Sequence, residues 1–155
     1  TIPDLALTTD LIVGFPGETE EEFAQSLRFV EEMNFARLHI FRYSARPGTV
    51  AATMPAQGPP ETTRARSQIV LRLAQRSATA FRRSFLGRKM DVLWEERRGD
   101  GLWLGLTDNY IRVETRSKAE LANTLTATRL VALTDKGMQG EIVEGQGIRD
   151  QGSGT

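Results

Sequence analysis

The segment Thr9-Asp10-Leu11-Ile12-Val13-Gly14-Phe15-Pro16-Gly17-Glu18-Thr19-Glu20-Glu21-Glu22-Phe23 constrains the fold more than any other stretch of the chain. Residues 5–13 are largely apolar without alternation, which predicts a strand covered on both faces. Phe15-Pro16-Gly17 predicts a turn, since proline presets φ and glycine accepts positive φ. Thr19 predicts an N-cap, and Glu22 three residues later completes a capping box. Glu20, Glu21 and Glu22 complement the positive end of the helix dipole rather than forming a catalytic carboxylate pair. Phe23, Leu27 and Val30 then recur at helical spacing, with Phe29 and Met33 widening the stripe and Asn34 as a left-handed stop. Arg37–Tyr43 reads as a second strand, so the order is βαβ. The loop after Val13 lies at a strand's C-terminal end, where α/β folds place ligands. Such a strand needs parallel neighbours, and this chain has few to offer. The expectation is therefore the back end of a larger enzyme, with exposed apolar strand edges and an aggregation-prone N-terminal third.

Residues 44–60 hold Pro47, Pro55, Pro59 and Pro60, a long connection that fits a functional loop or a domain linker. A helix is predicted over 61–86. Val70, Ser77, Phe81 and Phe85 mark one face beside Leu73 and Ala74. Arg64, Arg66, Arg72, Arg76, Arg82 and Arg83 take the remainder, and Gly87 is the stop. Short strands are predicted near 90–97, 102–107, 110–115, 124–133 and 139–143, separated by turn residues. Five strands in so short a span suggest a small closed barrel of OB-like character. Residues 144–155 are rich in Gly and Gln, which predicts a disordered tail.

The chain contains no Cys, which excludes disulfides, thiolate metal sites and cysteine nucleophiles. No residues are assigned as catalytic or metal-binding: no Ser/His/Asp set stands out, and His39, the single His, reads as a packed, hydrogen-bonded side chain. No apolar run is long enough to span a membrane and no signal peptide is visible, so a soluble, cytoplasmic protein without a membrane partner is the default expectation. Gly14-Phe15-Pro16-Gly17-Glu18 is neither a P-loop nor a dinucleotide fingerprint. The zero net charge hides an asymmetry. Residues 1–60 carry four Lys and Arg against eight acids, whereas residues 61–90 carry eight against the single acid Glu61. The basic block fits either a polyanion partner or a solvated helix face. Further on, Trp94, Trp103 and Tyr110 interleave with Arg97, Arg98, Arg112, Arg116 and Lys118. Aromatics stack on unpaired bases and cations pair with phosphates, so these suit an RNA loop. The alternative is that the two tryptophans are barrel core and only Tyr110 is exposed.

Three stretches together resemble a known family. The string from Thr8 to Phe23 is similar to the fifth-strand region of radical S-adenosylmethionine methylthiotransferases. Leu38–Thr49 looks like their sixth strand and following loop. Gly105-Leu106-Thr107-Asp108-Asn109-Tyr110-Ile111-Arg112-Val113 looks like part of their C-terminal TRAM domain, a small RNA-binding barrel, and is most similar to the enzymes acting on threonylcarbamoyladenosine in tRNA. The resemblance covers about residues 4–143. It implies an α/β plus all-β organisation: residues 1–52 as the C-terminal βαβ part of a TIM-like radical barrel, 53–87 as a loop and basic connecting helix, 88–143 as the TRAM barrel, and 144–155 as the tail.

The same resemblance implies the chemistry of a longer parent enzyme. Two [4Fe–4S] clusters, each held by three Cys, would cleave S-adenosylmethionine and supply sulfur, and a 5′-deoxyadenosyl radical would abstract the C2 hydrogen of the modified adenine. The cluster ligands are absent from this chain, which is not expected to act alone. By position, Ile12, Gly14, Phe41, Tyr43 and Ser44 would wall the adenine end of the S-adenosylmethionine pocket. Tyr110, Arg112, Arg116, Lys118, Arg97 and Arg98 would contact RNA. The implied partners are the tRNA anticodon stem-loop and the N-terminal domains of the same enzyme. Two alternatives stand beside this reading: a methylthiotransferase for another tRNA adenosine or a ribosomal protein, and a stand-alone RNA-binding module.

Overall fold

Thr19 and Asn34 bracket the first helix, α1 (Glu20–Met33), as their side chains dictate. The Thr19 hydroxyl accepts from the Glu22 amide at 3.1 Å, and Glu22 Oε2 accepts from the Thr19 amide at 2.9 Å, completing the expected capping box. Asn34 closes the helix at φ 48°, ψ 51°. The computed structural model describes residues 2–143 and the backbone of Arg149–Asp150. Two compact units divide the chain: Ala6–Phe81, and Thr1–Leu5 together with Arg82–Thr155.

In the Ala6–Phe81 unit, β1 (Thr8–Val13) and β2 (Arg37–Arg42) flank α1 in sequence and pair in parallel, with Ile12 beside Phe41. A short helix, α2 (Val50–Thr53), and a long one, α3 (Pro60–Arg83), follow. Proline at the first position of α3 lacks only an amide that no helical partner could satisfy. Val13, Phe23 and Val70 form one buried cluster with Leu11, Leu27, Leu38 and Ile40 packed against it; Val30, Phe35 and Leu73 form a second. The expectation of a strand covered on both faces is not met. Both helices pack on one side of the two-stranded sheet, so burial along β1 alternates, and Ile12 and Phe41 on the other side are 52 % and 51 % exposed. His39 also lies on that open side, 3.8 Å from Asp10, rather than packed as expected.

The buried stripe of α3 is Thr63, Arg66, Ser67, Val70, Leu73 and Ser77. The small hydroxyl residues let the helix approach closely, and the Ser77 hydroxyl donates to Phe35 O at 2.7 Å. Arg66, expected on the solvated face, is instead interior. Its Nη1 donates to Glu18 Oε2 and its Nη2 to Glu20 Oε1, both at 2.6 Å, and its guanidinium sits 5.0 Å over the Phe23 ring. The helix ends at Arg83, before the expected 86. The chain then turns through Phe85 N→Arg82 O and Leu86 N→Arg83 O bonds to Gly87, which adopts φ 78°.

The second unit is a closed five-stranded barrel: β3 (Lys89–Arg98), β4 (Leu102–Thr107), β5 (Arg112–Arg116), β6 (Thr124–Leu133) and β7 (Met138–Ile142). Neighbours run β3-β4-β5-β7-β6, and β6 returns to β3. All pairs are antiparallel except β5–β7, the Greek-key order of an OB-like barrel. Closure works because β3 serves two partners, with residues 92–98 on β4 and 89–93 on β6. A bulge between Trp94 and Glu96 bends it. Trp94, Trp103, Val113, Leu130 and Met138 fill the interior, and the Trp94 indole donates to Thr126 Oγ1 at 2.8 Å. Gly105 makes the room: a Cβ there would lie 2.4 Å from Leu93 O and 2.9 Å from the Trp94 ring. The expected tail at residues 144–148 and 151–155 lies outside the described residues, while Arg149–Asp150, expected to be disordered, pairs with β6 as a short strand, β8.

Arg66→Ala would leave the Glu18 carboxylate, only 14 % exposed, without its charge partner. The expected loss is about 3–5 kcal/mol of stability in the Ala6–Phe81 unit. The same change at exposed Arg64 is expected to stay within about 0.5 kcal/mol, both read by chemical denaturation with circular dichroism.

Candidate functional site

The C-terminal ends of β1 and β2 open into a cleft lined by Gly14, Phe41, Tyr43 and Ser44 together with Gln57, Pro60 and Thr63, all within the Ala6–Phe81 unit. Four of the five residues expected to wall a purine therefore converge. Ile12 does not line the cleft; it sits beside Phe41 in register on the open sheet face. Tyr43 is held edge-on to Phe15, ring centres 5.3 Å apart, and its amide donates to Val13 O at 2.9 Å. Its phenol oxygen is buried without a hydrogen-bond partner.

The turn before α1 is fixed from inside. Glu18 Oε2 accepts from the Gly14 amide at 2.8 Å and from Arg66 Nη1, which also donates to Glu18 O at 3.0 Å. Burial alone would lower the Arg66 pKa; the hydrogen bonds it donates to Glu20 and Glu18, with the charges of both carboxylates, outweigh it and hold the guanidinium above its ordinary value. The Gly14 amide is thereby engaged, and its φ of 75° suits glycine. A Cβ on Gly14 would lie 2.2 Å from Thr63 Oγ1, so the close approach made possible here is that of α3 itself. The loop folds back over the turn: Gly17 N donates to Ala56 O at 3.0 Å, and Gln57 Nε2 donates to Ala51 O and Met54 O. Thr63 and Gln57 were not singled out from the sequence. Arg66 carried a legible signal, since 66, 70, 73 and 77 fall on one helical stripe.

On the barrel, a second cleft crosses the outer side of β4 and β5 beside the β6–β7 loop, lined by Leu104, Leu106, Arg98, Arg112, Glu114 and Lys136 among others. In the OB strand order, the face of the second and third strands and the loop between the fourth and fifth are where oligonucleotides bind. Of the residues expected to contact RNA, Arg98 and Arg112 meet here, and Arg98 already pairs with Glu96 at 3.0 Å. Arg116 donates to Asp100 O at 3.1 Å at the β3–β4 turn. Arg97 lies 5.7 Å over Trp103 and 3.6 Å from Glu120. Lys118 is exposed. Both tryptophans are core, so among the barrel's candidates the stacking surface is Tyr110, 80 % exposed. Lys136 joins the cleft without having been singled out, because its loop reaches β5 only through the parallel β5–β7 pairing.

Among the described residues no cluster of His, Cys, Asp or Glu could hold a metal ion, and no helix is long and apolar enough to cross a membrane.

No protein-family model matches the chain. Curated relatives do. A tRNA-2-methylthio-N(6)-dimethylallyladenosine synthase of Acetivibrio thermocellus is 38 % identical over 144 residues, covering 92 % of this chain and 30 % of its own length. One from Thermobifida fusca is 51 % identical over 98 residues, 63 % of this chain and 20 % of its own. The threonylcarbamoyladenosine tRNA methylthiotransferase of Thermotoga maritima is 33 % identical over 147 residues, 93 % of this chain and 33 % of its own. The homologues are thus tRNA methylthiotransferases, and the chain spans between a fifth and a third of their length.

Gly14→Ala is expected to destabilise the Ala6–Phe81 unit by about 1–3 kcal/mol, through strain at positive φ and the collision with Thr63. Adding Thr63→Ala removes Oγ1 and Cγ2, the two nearest atoms. The double variant should then lose less than the sum of the singles in a thermodynamic cycle.

Proposed function

We propose that this chain is the portion of a tRNA methylthiotransferase that walls the S-adenosylmethionine site and grips the tRNA. The observation that carries the reading is the homology over nine-tenths of the chain to enzymes of that activity. The two clefts support it. In the first, the faces of Phe41 and Tyr43 and the strand-end backbone at Ser44 suit a flat purine, whose rings need apolar walls and whose edges need backbone partners. Gly14 shapes this cleft rather than donating to it, because its amide is held by Glu18. Ile12, paired with Phe41 in register but outside the cleft, is not assigned to its wall. In the second cleft, Arg112, Arg98 and Lys136 present cations on the oligonucleotide-binding side of an OB-like barrel. Arg116, Arg97, Lys118 and Tyr110, outside that lining, are proposed as further RNA contacts.

S-adenosylmethionine would supply the radical and methyl chemistry when bound. The iron–sulfur clusters that such chemistry requires have no thiolate ligands here, since the chain has no Cys, and no step through a cluster is assigned to these residues. The role proposed for this chain is to bind and orient. It belongs to the radical S-adenosylmethionine barrel with residues 1–52, to the connection with 53–87 and to a TRAM-type barrel with 88–143, in a cytoplasmic enzyme whose catalytic set lies in other domains. The substrate is an N6-substituted adenosine of tRNA next to the anticodon. The names of the Acetivibrio and Thermobifida relatives favour the dimethylallyl form. The alternative threonylcarbamoyl form is supported by the resemblance of Gly105–Val113 and by the Thermotoga relative.

Mass spectrometry of nucleosides from tRNA of a strain lacking the full-length gene should show loss of one 2-methylthio adenosine, and its N6 group identifies the substrate; an unchanged methylthio profile would sink the enzymatic reading. For the grip on RNA, Arg112→Ala with Arg116→Ala should weaken binding of an anticodon stem-loop and flatten the slope of log K against log salt by about 1.5. An unaltered slope would reduce both arginines to surface charge.

A further inference from the structure

The loop between β4 and β5 places a large aromatic side chain where physical chemistry disfavours it. Tyr110 is 80 % exposed and adopts φ 62°, a region that L side chains avoid and that persists only where neighbours enforce it. Enforcement is visible on every side. The Thr107 hydroxyl accepts from the Ile111 amide at 2.9 Å and donates to Asn109 Oδ1 at 2.6 Å, while Tyr110 N donates to Thr107 O at 3.0 Å and Thr107 N to Ile111 O at 3.1 Å. Ile111, the next residue, is buried. Asn109 then spends its amide on a distant segment, with Nδ2 donating to Asp4 O at 3.2 Å.

Asp4 is itself at positive φ, 58°. Arg88 holds it in a two-pronged ion pair, Nη1 to Oδ1 at 2.8 Å and Nη2 to Oδ2 at 2.5 Å, and lies 4.7 Å over the ring of buried Phe85. Two unfavourable backbone conformations are thus stitched together by one side chain and locked by one arginine, all within the barrel unit. The arrangement keeps a flat, uncharged ring in water two residues before Arg112 of the barrel cleft. An exposed ring on a fixed backbone, two residues from a cation, matches a base stacked on an aromatic with its phosphate paired. A surface built to adapt to a protein partner would not need its backbone fixed in this way.

We propose that Tyr110 is a stacking platform for one unpaired RNA base, and that Asp4, Arg88 and Asn109 form a strap that positions it. The inference rests on the RNA-binding reading above and names the chemistry of one contact within it.

The test uses the full chain and two probes, a hairpin RNA with an unpaired loop and a fully paired duplex of equal length, with affinity read by fluorescence anisotropy across a salt series. Tyr110→Ala should weaken hairpin binding by about ten- to a hundredfold, leave duplex binding unchanged and leave the salt slope as it was, because stacking moves no charge. Tyr110→Phe should retain wild-type affinity. Tyr110→Gly should lose affinity like Ala yet raise the melting midpoint, since glycine relieves the backbone; a fall in both would assign Tyr110 a structural role and overturn the proposal. Asp4→Asn should weaken hairpin binding severalfold in the wild-type background and have no further effect in Tyr110→Ala, the coupling expected of a positioning residue. Simple additivity would overturn the strap. If Tyr110→Ala binds the hairpin normally while Arg112→Ala flattens the salt slope, stacking falls and RNA binding stands. If the wild-type chain binds neither probe, both fall.

Discussion

A guanidinium removed from water organises the first half of the molecule. Arg66 reaches from α3 into the turn between β1 and α1 and meets two carboxylates and a backbone carbonyl there. Because Glu18 Oε2 also takes the Gly14 amide, one oxygen ties a strand end, a helix start and a helix 48 residues away into a single polar node. Such a node is costly to desolvate and costly to break, so it specifies geometry more than it adds stability. What it specifies is the rim of the cleft: Gly14 cannot move without Glu18, nor Thr63 without α3.

The charge asymmetry of the sequence is answered by the same logic. The acid-rich first sixty residues and the base-rich thirty that follow do not simply present opposite poles to solvent. Arg66 takes Glu18 and Glu20, Arg76 takes Glu31 at 3.5 Å, and Arg88 takes Asp4. Part of what reads as a polyanion-binding block is paired internally, while on the barrel Arg112 and Lys136 line the outer cleft. Even there Glu95, Glu96 and Glu114 share the lining. The cleft is therefore of mixed charge, without the single-sign field that long-range electrostatic steering requires.

Local rules were legible in the sequence and long-range ones were not. The box of Thr19 and Glu22, the stop at Asn34, the strand over 124–133 and the turn residues between strands all act within a few positions, and all appear as expected. Arg66 was misread because its residue type outweighed its place on the stripe 66, 70, 73, 77. The two-faced burial of β1 was misread because coverage depends on what packs against a strand, which its own residues do not state. Barrel closure turns on the parallel β5–β7 contact between segments far apart in sequence, and with it Lys136 enters the cleft. Of the residues lining the first cleft, those at strand ends were indicated by the family resemblance, whereas Thr63 and Gln57 arrive from a helix and a loop whose path no periodicity encodes.

Both tryptophans of the chain, Trp94 and Trp103, lie in the barrel interior, and the Ala6–Phe81 unit contains none. Indole emission is therefore a private signal of the barrel. The long helices α1 and α3, in contrast, lie almost wholly in the other unit and dominate the far-ultraviolet dichroism. The chain thus carries two intrinsic optical reporters, one for each unit, and loss of order in either can be followed without a label or a mutation.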